Sequence, residues 1–302
     1  MNQKNVGSLQ VMIAGVLWAT HGTIVSFLPS AVPTLALATI RLIIGGAGLG
    51  LILLVSGQKS LFNDNKKIPY PSIILAGVAQ AITQVSVYYG IRNAGVTVAT
   101  MIFIASPPVI SGLFSQFVKK ERQSLSWLIS SVIIVVGSLL MAFSADRVAD
   151  GNGLVIGSLF GLIAGTCWTF TGSQLRALNK VASPMVSSFI VVTLAGLFLL
   201  PIALTKDLSW IKSWNVLFLS LLLGLMATSF PFFLFTTGSR KIEASHAFLY
   251  NLSEPITASL LGFLVLNEKL SNTGIVGYTL VVAGLLIFSL WEFRKQEVML
   301  SV

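Results

Sequence analysis

The chain has 302 residues, 55% of them hydrophobic and only 10% charged, against about 25% charged in an ordinary soluble domain. That composition excludes a water-soluble globule. The net charge of +9 does not indicate a nucleic-acid binder, because no long basic stretch with interleaved aromatic residues occurs.

Crossing a bilayer as a helix takes about 20 consecutive apolar residues. Hydropathy predicts ten such spans in chain order, at 8–28, 33–55, 71–91, 96–117, 125–144, 153–175, 183–204, 214–237, 243–266 and 271–291. The first run lacks a small-residue cleavage pattern and nine more follow it, so it reads as a span and not as a removable signal segment. The longest connection, GQKSLFNDNKKIPYP, is too short for a soluble domain. The lipid bilayer is therefore the expected surroundings, and whatever the chain does is expected within or across it.

The first span carries Trp18 and His21, and the second carries Arg41 just before IIGGAGLG (43–50). Small residues let helix backbones approach closely in lipid, although glycine is common in membrane helices generally. In the third span Gln80, Gln84 and Tyr88 recur every fourth residue, with Tyr89 adjacent. Tyr88 and Tyr89 fall near an interface, where an aromatic belt also accounts for them. Gln84 is deeper, and its amide suits either recognition of a polar solute or a bond between helices.

The sixth span holds Gly157, Gly161 and Gly165 at four-residue spacing, then Cys167 and Trp168. A single cysteine allows no internal disulfide and reads here as a small buried hydrophobe. In the ninth span, SHAFLYNLSEP (245–255) interrupts an apolar segment. Glu243, His246, Tyr250 and Glu254 stand at i, i+3, i+7 and i+11, which on one continuous helix would form a single stripe. An ionisable group at mid-bilayer costs about 2.5–3.5 kcal/mol on insertion scales, so Glu254 is expected to face the bundle interior or a wet cavity.

Two internal matches stand out. GSLQVMIAGVLWATHG (7–22) and GSLFGLIAGTCWTFTG (157–172) share eight of sixteen residues, pairing Trp18 with Trp168. PPVISGLFSQFVKKERQS (107–124) matches EPITASLLGFLVLNEKLS (254–271), with Pro108 on Pro255 and Glu121 on Glu268. Spans one to five therefore correspond to spans six to ten. Five is odd, so the second copy enters the membrane from the opposite face. The expected fold is an all-α integral membrane protein of ten transmembrane helices in two inverted five-helix repeats, 1–148 and 149–302. Inverted repeats recur in secondary transporters, with the substrate site near the midplane between the halves.

Thirteen Lys and Arg residues fall on the side of the N-terminus and five in the loops of the other side, the bias expected when both termini are cytoplasmic. On that orientation His21 and Arg41 lie at similar depth from the outer surface. Arg41 suits a bidentate grip on a carboxylate; a structural tie to nearby carbonyls is the alternative. Glu254 suits a substrate ammonium or proton uptake, or a bond across helices beside Pro255. His21 and His246 are further proton-coupling candidates, though a histidine bonded within the bundle would serve structure alone. Trp18, Trp168, Gln84, Tyr88 and Tyr250 complete the candidate substrate-binding set, the two tryptophans as cavity walls or as packing. No metal-ligand spacing, phosphate loop or nucleophile set appears, so neither a cofactor nor an enzyme is expected. An intramembrane enzyme and a non-transporting sensor or scaffold are the alternatives; the first lacks clustered acids or histidines at a membrane surface, the second a soluble domain.

The GSLxxxIAGxxWxxxG pattern around Trp18, the paired Pro and Glu positions, and EP followed by an apolar helix and NEKLS resemble the EamA branch of the drug/metabolite transporter superfamily, over the whole chain. KKERQS, at the end of the fourth span, is more basic than that pattern. The resemblance implies the ten-helix inverted-repeat fold and export of small metabolites, frequently amino acids, across a bacterial inner membrane. The expectation is a secondary transporter working by alternating access, with an amino-acid-like metabolite as partner.

Overall fold

A computed structural model of the chain describes residues 3–29, 31–56, 61–62, 67–94, 96–117, 120, 124–143, 151–265 and 271–300. Glu121 and Glu268 lie outside the described residues. The helices are α1 (Gln3–Ser26), α2 (Thr34–Val55), α3 (Tyr70–Ala94), α4 (Val96–Phe117), α5 (Leu125–Phe143), α6 (Gly151–Leu178), α7 (Pro184–Ala203), α8 (Trp214–Gly224), α9 (Phe230–Ser239), α10 (Ala244–Tyr250), α11 (Ser253–Val265) and α12 (Asn272–Leu300). Seven stretches are long and apolar enough to cross a membrane: α1, α2, α3, residues 98–117 of α4, residues 152–178 of α6, α7, and the continuous run from α8 to the end of α9. The fifth and tenth expected spans carry shorter apolar helices, Leu125–Leu140 and Asn272–Phe288.

Two expected spans are not uniform helices. Between α8 and α9 the chain makes a π turn, Leu225–Ser229. Its Ser229 hydroxyl lies 2.7 Å from Gly45 O of α2, which fastens the turn to the glycine-rich stretch after Arg41. The ninth span is broken outright at Asn251 and Leu252. Pro255 has no N–H to offer the carbonyl four residues back. Asn251 O accepts instead from Glu254 N at 2.9 Å, and Leu252 N turns to Leu249 O at 3.1 Å. Ser253 Oγ then donates to Met12 O at 2.8 Å, so α1 holds the break in place.

Packing partners come in matched sets. α3 lies along α6, and α9 lies along α1; α4 also lies against α6, and α11 against α1; α2 pairs with α7 and α5 with α12. Glycine sets the close approaches. A Cβ on Gly7 would come within 2.9 Å of Gly238 O, and one on Gly157 within 2.9 Å of Gly90 O. Gly15 faces the Ser253 hydroxyl as Gly165 faces that of Ser106. At the centre the Trp18 and Trp168 rings meet edge to face, centroids 5.4 Å apart.

Replacement of Gly15 by Ala would drive a methyl into Ser253 and to 3.0 Å from Asn251 O and Glu254 N, whereas Gly22 has open space. Gly15→Ala is expected to destabilise the detergent-solubilised protein by about 1–3 kcal/mol, with Gly22→Ala near neutral, as read by thermal unfolding.

Candidate functional site

Arg41 sits about two turns into α2, roughly 10 Å along its axis from Thr34. Its side chain is 9% exposed. Nη2 donates to Gln84 Oε1 of α3 at 2.9 Å, and Nε is buried without a partner. His21 of α1 and Glu254 of α11, both half-buried, lie within reach of its charge. No ion pair within 4 Å joins Arg41 to Glu254; among the described residues that criterion is met by His246 and Glu243, at 3.7 Å. A cation and an anion thus share one interior without touching, and the guanidinium keeps a free donor edge.

The polar group lies toward the face opposite the N-terminus. Between it and the N-terminal face stands an aromatic cluster. Trp18 packs on Phe232 and Phe235 with centroids 5.5 Å away, Trp168 on the same rings at 5.6 and 5.2 Å, and Phe248 closes on Trp168 and Phe235 at 6.4 and 5.8 Å. Phe235 is fully buried, about one turn from the end of α9. Offset and edge-to-face pairs of this kind add about 0.5–1.5 kcal/mol each beyond burial, so the cluster is held firmly together.

Beside the cluster, at the break in the ninth span, is a cavity of about 10 Å³, room for one water molecule. Phe103, Ile104 and Pro107 of α4, Trp168, Phe248, Asn251 and Glu254 line it. Asn251 Nδ2 donates to Glu254 Oε2 at 3.3 Å, while Asn251 Oδ1 is buried and unpartnered.

The structure divides the stripe expected in the ninth span. Glu243 precedes α10, and the break changes the register before Glu254. His246 and Tyr250 turn to α12, their rings 4.9 and 5.4 Å from that of Phe288, whereas Glu254 looks toward α4 and α6. Tyr88 is half-buried near the end of α3 and meets Tyr89 edge to face at 5.2 Å; Tyr89 stacks on Phe160. Gln80 is buried with Oε1 unpartnered. Arg41, His21, Gln84, Trp18, Trp168 and Glu254 therefore gather in one region, and His246 and Tyr250 pack on Phe288 of α12. Sequence reasoning passed over Asn251, Phe232, Phe235 and Phe248. For Asn251 a signal was there: Asn, Ser and Pro within five residues all disfavour a helix interior. Among the described residues no three His, Cys, Asp or Glu side chains gather as a metal site.

Comparison with known proteins agrees with this architecture. The profile of the EamA-like transporter family matches twice, over residues 5–143 and 155–290. The uncharacterized transporter YwfM of Bacillus subtilis is 34% identical, the alignment covering 97% of this chain and 96% of that protein. The uncharacterized inner membrane transporter YicL of Salmonella typhimurium is 23% identical over 98% and 99%. A solved crystal structure superposes with a TM-score of 0.79 at 20% identity, covering 96% of this chain and 98% of that one, and so shares the fold.

Cysteine-accessibility labelling checks which face is closed. In a Cys167→Ser background, His21→Cys and Tyr88→Cys are expected to react with a water-soluble maleimide about tenfold faster than Phe235→Cys, because thiol reactivity follows exposure. Equal rates would show that the aromatic cluster closes nothing.

Proposed function

Because this chain belongs to the EamA-like transporter family, and is a multi-pass membrane protein with spans to match, we propose that it is a secondary transporter exporting amino acids or similar small metabolites across a bacterial inner membrane. The observation that carries this reading is the unpaired juxtaposition of Arg41 and Glu254. A free zwitterion has the two charges needed to bridge them: its carboxylate on the Arg41 guanidinium, whose donors outnumber the one bond made to Gln84, and its ammonium on Glu254. Trp18 and Trp168 supply apolar walls between the two poles.

The two halves, 1–148 and 149–302, act as inverted five-helix repeats that rock about their shared centre. Two things support this: the family profile matches once in each half, and packing partners exchange consistently when each helix is replaced by its match. Ten spans, the broken ninth counted as one, bring both ends of the chain to one side, and the excess of Lys and Arg there makes that side cytoplasmic. The aromatic cluster then seals the cytoplasmic entrance, and His21, Arg41 and Tyr88 face the exit. This is the state that releases substrate. Return to the loading state requires the cluster to part, and protonation of Glu254 drives it by removing the negative charge that holds the ammonium. His21 is placed to assist as a second proton carrier, while His246, turned to α12, is outside the pathway.

The test is counterflow in proteoliposomes with labelled amino acids, with and without a pH gradient. Arg41→Gln removes one member of a buried charged contact, worth about 2–5 kcal/mol, and is expected to lower transport of carboxylate-bearing substrates by at least about 30-fold. Unchanged transport in that variant rejects the anchor. Glu254→Gln is expected to abolish accumulation driven by the pH gradient.

A further inference from the structure

The gap in the ninth span lies within the site just proposed. Asn251 is 6% exposed. Its amide nitrogen is engaged with Glu254, and its amide oxygen is buried with no donor opposite it. Asn251 lines a cavity together with Glu254, the rest of the wall being Trp168, Phe248, Phe103, Ile104 and Pro107. Such a compartment offers acceptors and π faces. Its complement is a group rich in donors and positively charged, since a desolvated cation is attracted both by carboxylate and by aromatic faces. The volume, about that of one water, admits –NH3+ and excludes a trimethylated nitrogen.

We infer that Asn251 and Glu254 form a subsite for an unmethylated primary ammonium group, with Asn251 Oδ1 and the Glu254 carboxylate accepting its N–H bonds. Asn251 has two tasks. Through Nδ2 it fixes the carboxylate, and through Oδ1 it counts hydrogens on the ligand's nitrogen, because a tertiary or quaternary amine, with one N–H or none, cannot fill both acceptors. The inference rests on the zwitterion reading above, in that the ammonium belongs to the molecule whose carboxylate Arg41 holds.

The experiment uses the full-length protein in detergent and reads thermal stabilisation and titration calorimetry. The probes are the proteinogenic L-amino acids, their 2-hydroxy acid counterparts and their N-trimethylated counterparts, with sodium chloride against choline chloride as a further arm. Amino acids are expected to bind at least about tenfold more tightly than either analogue set, since the hydroxy acids lack the charge and the betaines lack the donors. Asn251→Leu is expected to shrink that preference below about threefold while hydroxy acids bind as before. Asn251→Ala, which also removes both amide groups, is expected to shrink the preference likewise and serves if the leucine variant does not fold. Equal binding of amino acids and hydroxy acids overturns the ammonium subsite and leaves the Arg41 anchor standing. Equal binding of the trimethylated series overturns the role of Asn251. Stabilisation by sodium over choline that is lost in Asn251→Leu and Glu254→Gln assigns the cavity to an inorganic cation and overturns the inference. Binding of none of the probes overturns both this subsite and the zwitterion reading.

Discussion

A guanidinium inside a bundle that lipid surrounds must be screened by the chain's own groups, and Arg41 is the residue on which this architecture turns. A charge at mid-membrane costs about 2.5–3.5 kcal/mol even on forgiving scales. The chain offsets that cost by packing α2 against α7, α8 and α3 and by a bond donated to Gln84 Oε1. It does not cancel it by a salt bridge. Glu254 is near enough to be felt and too far to pair. The interior is thereby left with polarity still available to something else.

The skeleton around this charge is duplicated, and the chemistry is not. Trp18 and Trp168 correspond and touch; Gly15 with Ser253 repeats Gly165 with Ser106. At the same offset as the tryptophans, however, Arg41 corresponds to Val191 and His21 to Thr171, and at the offset of the second match Glu254 corresponds to Pro107. Matching backbones build two similar walls. Substitutions on only one copy then make those walls chemically distinct, so that one end of the interior is polar and the other is filled by Phe232, Phe235 and Phe248.

Much of the fold was legible because lipid imposes length and composition on anything that crosses it. The expected spans fall on helices, α1 beginning five residues before its span and α12 ending nine after its own, save where short-range geometry competes with hydropathy. Hydropathy is blind to the break at Asn251, because Phe248, Leu249, Tyr250 and Leu252 are apolar on both sides of it. What ends α10 is a missing hydrogen-bond donor four residues later, at Pro255, and a serine that finds a carbonyl on α1. The stripe joining His246 to Glu254 failed for the same reason, since helical periodicity holds only within one helix. The pairing of His21 with Arg41 followed from depth, and the inward turn of Glu254 from the cost of burial. The bond between Arg41 and Gln84, separated by 43 positions, is a matter of tertiary packing that no periodicity encodes, and the π turn that brings Ser229 to Gly45 is another.

That 43-residue separation also bears on how the molecule is made. Synthesis proceeds from the N-terminus, so α2 is made before α3, which carries Gln84, and long before Glu254 exists. Arg41 thus precedes both of these groups into the bilayer. The run of leucine, isoleucine and glycine that follows it makes α2 more apolar than either α1 or α3, and this excess carries the lone charge across until its partner arrives.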